Sequence, residues 1–136
     1  MINKFNISKA LRDNAKTIAD ANSVKLVSNG ELYDPDINLG YVEEIALYGK
    51  DTSIGLADES SDIQFGIYQI NINTPKTKTK WSGLKLADIF NAGFSKGLEL
   101  TYNGQMVRIK NTTFEPMMQN DTHLIHILSI NFSVIN

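Results

Sequence analysis

The chain has 136 residues, enough for one domain with a buried core and short for two. Its 42% hydrophobic and 21% charged residues are ordinary for a globular domain, and a formal net charge of -2 gives no general affinity for polyanions, so any basic function must be local. The absence of cysteine excludes disulfides, thiolate metal sites and cysteine nucleophiles, and no segment has the apolar length of a signal-peptide core or a bilayer span, so synthesis in the cytoplasm and no membrane contact are expected.

In chain order, Ile7, Leu11, Ala15, Ile18 and Ala19 recur at spacings of three and four with Lys9, Arg12, Asp13 and Lys16 between them, which predicts an amphipathic helix over residues 4 to 22. A short apolar piece, Val24 to Val27, leads into SNGELYDPDINLG, an irregular connection punctuated by Gly30, Pro35 and Gly40. YVEEIALY, residues 41 to 48, reads as a strand. Residues 49 to 63 are small and polar, with Asp51, Asp58, Glu59 and Asp62 among them, and predict a loop long enough to serve function. FGIYQININT predicts a second strand with Tyr68, Ile70 and Ile72 on one face.

The next helix sets Leu86, Ile89, Phe90 and Phe94 on one face, with Ser82 as its N-cap, Trp81 stapled onto Leu86 and Gly97 in the left-handed C-terminal position. Gly93 inside it costs about 1 kcal/mol relative to alanine, which points to a close backbone neighbour. Asn103-Gly104 predicts a type I′ hairpin whose two-residue turn pairs Leu98 with Ile109, Leu100 with Val107 and Glu99 with Arg108. After a segment from Thr112 to Met118, the closing run THLIHILSINFSVIN places Leu124, His126, Leu128, Ile130, Phe132 and Val134 on one face and contains no Lys, Arg, Asp, Glu, Pro or Gly. An exposed edge strand so composed would aggregate, so it must be central in its sheet or pair with a strand of another chain.

The chemistry-bearing residues form no catalytic or metal-binding pattern. His123 and His126, three apart on an extended segment, point oppositely and cannot share a metal, and His126 sits on an apolar face as a core histidine does. Asp58, Glu59 and Asp62 lack the order and the glycine of a calcium loop, and Glu43 and Glu44 face apart on their strand, which is wrong for a carboxylate pair. There is no phosphate-cradling glycine loop, nucleophile elbow or zincin helix, so neither a catalytic residue, a metal nor a cofactor is expected. Tyr33, Tyr41 and Tyr48 flank the irregular connection and suit either an interface or the rim of the core. Lys76, Lys78 and Lys80 alternate with Thr77 and Thr79; on an extended backbone they share one side and form a local basic patch suited to an acidic partner, to a nucleic acid or simply to a solvated turn.

The order of parts resembles the tail terminator, or tail completion, family of long-tailed bacteriophages: a helix, a connection with Asn29, Tyr33 and Pro35, a strand, a polar loop, Gly66-Ile67-Tyr68-Gln69-Ile70 ending at Pro75, a helix with Asp88 and Phe94, a hairpin and a long closing strand. The strand GIYQI up to Pro75 and the helix LKLADIFNAGFSKG carry it most specifically; Lys76 to Lys80 depart from the glycine-containing turn that relatives often have there. The resemblance implies a single α+β domain over residues 1 to 136, with a mixed, mostly antiparallel sheet packed by an N-terminal and a mid-chain helix. It also implies a virion protein that forms a hexameric ring on the head-proximal end of the tail tube, meets the tube protein and the head connector or neck protein, and surrounds a channel for DNA. Another neck or head-tail joining component, or a small-ligand-binding α+β module, are the alternatives. The interface residues are expected among Lys76, Lys78, Lys80, Asp51, Asp58, Glu59, Asp62, Tyr33 and Tyr48. A grip on nucleic acid by the lysines predicts binding that weakens steeply with salt and further when Lys76, Lys78 and Lys80 become alanine; unchanged binding of that variant in a salt titration removes the idea.

Overall fold

A computed structural model describes residues 2–49, 52–53, 62–78 and 80–135. In chain order the elements are α1 (Lys4–Ala21), β1 (Lys25–Ser28), β2 (Tyr41–Tyr48), β3 (Thr52–Ser53), β4 (Asp62–Pro75), α2 (Lys80–Gly93), β5 (Glu99–Tyr102), β6 (Gln105–Phe114), β7 (Met118–Gln119) and β8 (His123–Ile135). They form one sheet in the order β1-β2-β4-β8-β6-β5, with β3 added to β4 and β7 to β8. Among the described residues only β1 and β2 run parallel and every other pair is antiparallel, which is the mixed α+β architecture expected from the sequence.

The closing strand is central. β8 pairs with β4 along thirteen positions, from Ile63 opposite Ile135 to Pro75 opposite His123, and β6 covers its other side from Val134 to Leu128. Of the two ways to protect an uncharged strand, the chain uses the internal one, so β8 by itself requires no second subunit. Its alternation supplies the core: Leu128, Ile130, Phe132 and Val134 lie under the helices beside Tyr68, Ile70 and Ile72 of β4 and Val107 and Ile109 of β6.

Both helices pack on that face. Asn3 caps α1, its side chain accepting from Asn6 N at 3.1 Å, and Ile7, Leu11, Ala15 and Ala19 are buried as the spacing predicts. The sheet curls round the helices, so α1 reaches both of its flanks: Ser8 Oγ shares a hydrogen bond with Tyr48 OH on β2, and Asn3 N donates to Gln105 Oε1 on β6 at 3.1 Å. α2 buries Ala87 and Phe90 over β4 and β8, and Phe94, just past its end, is buried with them.

The start of α2 differs from expectation. The helix begins at Lys80, so Ser82 lies in its first turn and is not the cap, and Trp81 is 65% exposed there and does not precede the helix as a staple must. The buried stripe runs on to Gly83, which presses against the His126 ring and Thr74 and therefore needs helical backbone earlier than the apolar pattern alone requires. His126 is buried as a core histidine, with desolvation lowering its pKa.

The hairpin follows its turn chemistry. Asn103 and Gly104 take φ values of 50° and 81°, and Glu99 pairs with Arg108 and Leu100 with Val107 in the expected register. Arg108 Nη2 donates to Glu99 Oε2 at 2.8 Å, and Ile109 N donates to Leu98 O at 2.9 Å.

Two glycines separate helix propensity from packing. A Cβ at Gly93 would meet only the flexible end of Ile18, whereas a Cβ at Gly83 would collide with the rigid His126 ring. Gly83→Ala should therefore destabilise the fold by about 2 kcal/mol in urea unfolding despite better helix propensity, and Gly93→Ala by less than half of that.

Candidate interaction surface

The sheet has one face under the helices and one face with no helix on it. Because β4 and β8 have no Lys, Arg, Asp or Glu from Ile63 to Pro75 and from His123 to Ile135, the centre of the open face is uncharged. Gln69, Asn71, Ser129 and Asn131 alternate there with the buried core positions. Their amides bond laterally: Gln69 Nε2 donates to Asn71 Oδ1 at 2.8 Å, and Asn131 Nδ2 donates to Asn111 Oδ1 on β6 at 2.6 Å.

The two ends of this face differ. At one end the connection of residues 29–40 forms a roof. Tyr33 packs on Tyr41 with ring centroids 5.2 Å apart, Tyr41 meets the edge of His123 at 5.4 Å, and the His123 ring bonds through Nε2 to Leu39 O at 2.9 Å. His123 and Asn73 are buried as a result, on the side opposite His126. Burial first, and then the charge of Glu43 and the neighbouring Tyr33, raise the pKa of Tyr41. At the other end Leu47, Phe65 and Ile67 stand exposed, Leu47 directly opposite Ile67, around a groove of about 380 Å³ that Gly49, Gly66 and Asn131 complete. Such contiguous apolar exposure marks an interaction surface more often than a plain surface.

The residues singled out in the sequence are not gathered on one surface. Lys76 and Lys78 are exposed on a turn and not on an extended strand: Lys78 N donates to Pro75 O and Lys76 N to Thr122 O, each at 3.0 Å, so the even alternation expected of them is broken. Lys80 opens α2. No ion pair engages Lys76 or Lys78 among the described residues. Tyr33 belongs to the roof, whereas Tyr48 closes the core rim, set edge-on to Phe132 with its hydroxyl donating to Lys4 O at 3.2 Å. Asp62 begins β4 opposite Ser53, so the strand starts earlier than expected, and Asp51, Asp58 and Glu59 lie outside the described residues.

The charged site that sequence reasoning missed is Glu44. It faces inward from β2, where Tyr68 OH donates to its Oε1, and Arg12 Nη1 and Ser28 Oγ donate to its Oε2, the latter at 2.6 Å. Desolvation first, and then the Glu44 charge and hydrogen bond, push the Tyr68 pKa well above 10.0. These bonds tie α1, β1, β2 and β4 together, and a cleft of about 360 Å³ lined by Ser8, Arg12 and Asn29 opens beside them. The strand alternation placed Glu44 on the inner face with Val42; its partners come from elements distant in sequence and leave no local signal. Among the described residues no cluster of His, Asp or Glu could hold a metal ion, and no helix is long and apolar enough to cross a membrane. Arg12→Met should strand the buried carboxylate and cost about 2 kcal/mol in denaturant unfolding, a loss that the further change Glu44→Leu largely restores.

A solved chain is similar over 98% of this chain and 96% of its own, with a TM-score of 0.79 and 17% sequence identity, which shows a shared fold. No curated protein matches. The model of a family described as phage tail terminator protein matches residues 6–132, nearly the full length, and with it the uncharged ladder, both helices and the hairpin. That family is a structural one of the phage tail, and this chain belongs to it.

Proposed function

We propose that the chain ends the growth of a phage tail. Copies form a ring, six in number, on the head-proximal end of the tail tube; one side of the ring docks on the last tube subunits and the other meets the head connector or neck protein, with DNA passing through the channel. The observation that carries this reading is the family match over residues 6–132. The open sheet face, uncharged along β4 and β8 and with Leu47, Phe65 and Ile67 exposed, supports it, since depletion of charge is what marks the core of a protein interface.

The mechanism is one of asymmetric surfaces, with no bond made or broken. A terminator imitates the next tube subunit on one side and lacks the complementary patch on the other, so addition stops after one ring. Lys76 and Lys78, exposed on their turn, suit contact with acidic groups of a neighbouring ring, and Tyr33 offers a partly exposed aromatic nearby. On this reading the protein is made in the host cytoplasm and leaves in the virion.

Electron microscopy of tails assembled with and without the protein tests it. Tubes of defined length with the protein and overlong tubes without it are expected; tubes of unchanged length in its absence overturn the reading.

A further inference from the structure

His126 is the one titratable side chain that β8 turns toward the helices. Its Cδ2–Nε2 edge lies so close to Gly83 in the first turn of α2 that not even a methyl group fits between them. Nε2 is buried there without a hydrogen-bond partner, and so is Thr74 Oγ1, the other polar atom beside Gly83. A buried imidazole with no acceptor for a second proton is stable only when uncharged, and burial lowers its pKa accordingly.

The surrounding elements offer a charged ring little relief. On β4, Ile72 lies opposite His126 and Thr74 beside it, and neither titrates. On α2, Lys85 and Asp88 are exposed, the first turn holds no acidic residue, and its free amide N–H groups present the positive end of the helix. His123, the other histidine of β8, points to the opposite face and bonds to Leu39 O. Glu115, after β6, is the only charged residue among the described ones that lines the cleft of about 310 Å³ which His126 shares with Leu84, Phe114 and Met117, and Nε2, held at Gly83, makes no bond to it. Attachment decides what yields. β8 is bonded on both sides at the centre of the sheet, whereas the first turn of α2 is a helix end with Trp81 and Ser82 exposed, and helix ends open at far lower cost than central ladders.

We propose that His126 is an acid-operated latch on α2: when the ring takes up a proton, residues 80–83 lift off it and the start of the helix opens, while the sheet beneath keeps its pairing. The cleft beside the ring then admits water to the imidazolium. The lysine turn leads directly into residue 80, so acid loosens the segment that carries Lys76 and Lys78. The latch needs no partner and stands independently of the ring reading. Its direction follows from the protons bound. The open form takes up its proton at the ordinary histidine pKa of 6.5 and the closed form only at lower pH. The closed helix is therefore fully favoured above pH 6.5, and opening grows by up to about tenfold per pH unit below it until the closed form is protonated too.

Amide hydrogen exchange of the full-length protein, followed by NMR from about pH 7.5 to about pH 5 and corrected for intrinsic rates, tests the latch. Leu84, Lys85, Leu86 and Ala87 donate to the carbonyls of residues 80–83 in a regular helix, so their amides report the first turn. They should exchange faster by up to about tenfold per pH unit below 6.5, in step with the imidazole resonance of His126, while the amides of β4 and β8 hold level. His126→Leu should abolish the acid dependence of those four amides. Constant protection of residues 84–87 across the range overturns the proposal, as does a loss shared equally by β4 and β8, opening that follows the His123 resonance instead, or acid dependence retained in the leucine variant. Should that variant fail to fold, the wild-type titration decides alone, because each histidine is followed by its own resonance.

Discussion

The β4–β8 ladder is the constraint on which the rest of the molecule depends. Two strands without a charged residue from Ile63 to Pro75 and from His123 to Ile135 can only sit at the centre of a sheet, because either would be a template for aggregation at an edge. Placing them side by side fixes the neighbours. β2 must flank β4, and β6 must flank β8, and the edges fall to the short strands β1 and β5. The helices then cover the face where Tyr68, Ile70, Leu128, Ile130 and Phe132 gather; the centre of the other face is left to amides, hydroxyls and aliphatic groups, flanked by Glu43 on β2 and Arg108 on β6.

Close packing at two points sets how the helices sit. At Gly83 the backbone of α2 lies against His126, so the helix is positioned by a ring that cannot yield. At Glu44 a buried carboxylate is held by Arg12, Ser28 and Tyr68, so α1 is positioned by a charge that must stay paired. One device is steric and the other electrostatic. Together they secure the covered face, while the open face carries the differences between its two ends.

Local chemistry made much of the fold legible in the sequence. The strand at residues 41 to 48, the face of Tyr68, Ile70 and Ile72 and the Asn103-Gly104 register all follow from rules that act over a few residues, whereas the close backbone neighbour expected at Gly93 is instead the Ile18 side chain of α1. What escaped was non-local. The start of α2 depends on His126 more than forty residues away, the lysine turn depends on the bond from Lys76 to Thr122, and the Glu44 network draws on three other elements. Of the residues expected at an interface, only some lie near the open face; the groove of Leu47, Phe65 and Ile67 has no signature in sequence because each of its residues reads as ordinary strand alternation.

The uncharged centre of the open face also bears on the surroundings a virion meets. Carboxamides, hydroxyls and aliphatic groups hold no counter-ion cloud, so whatever rests on Gln69, Ser129 and Asn131 gains and loses little when fresh water replaces brine. Attachments through Lys76 and Lys78 would instead loosen as salt rises, which divides the molecule into a part indifferent to its medium and a part tuned by it.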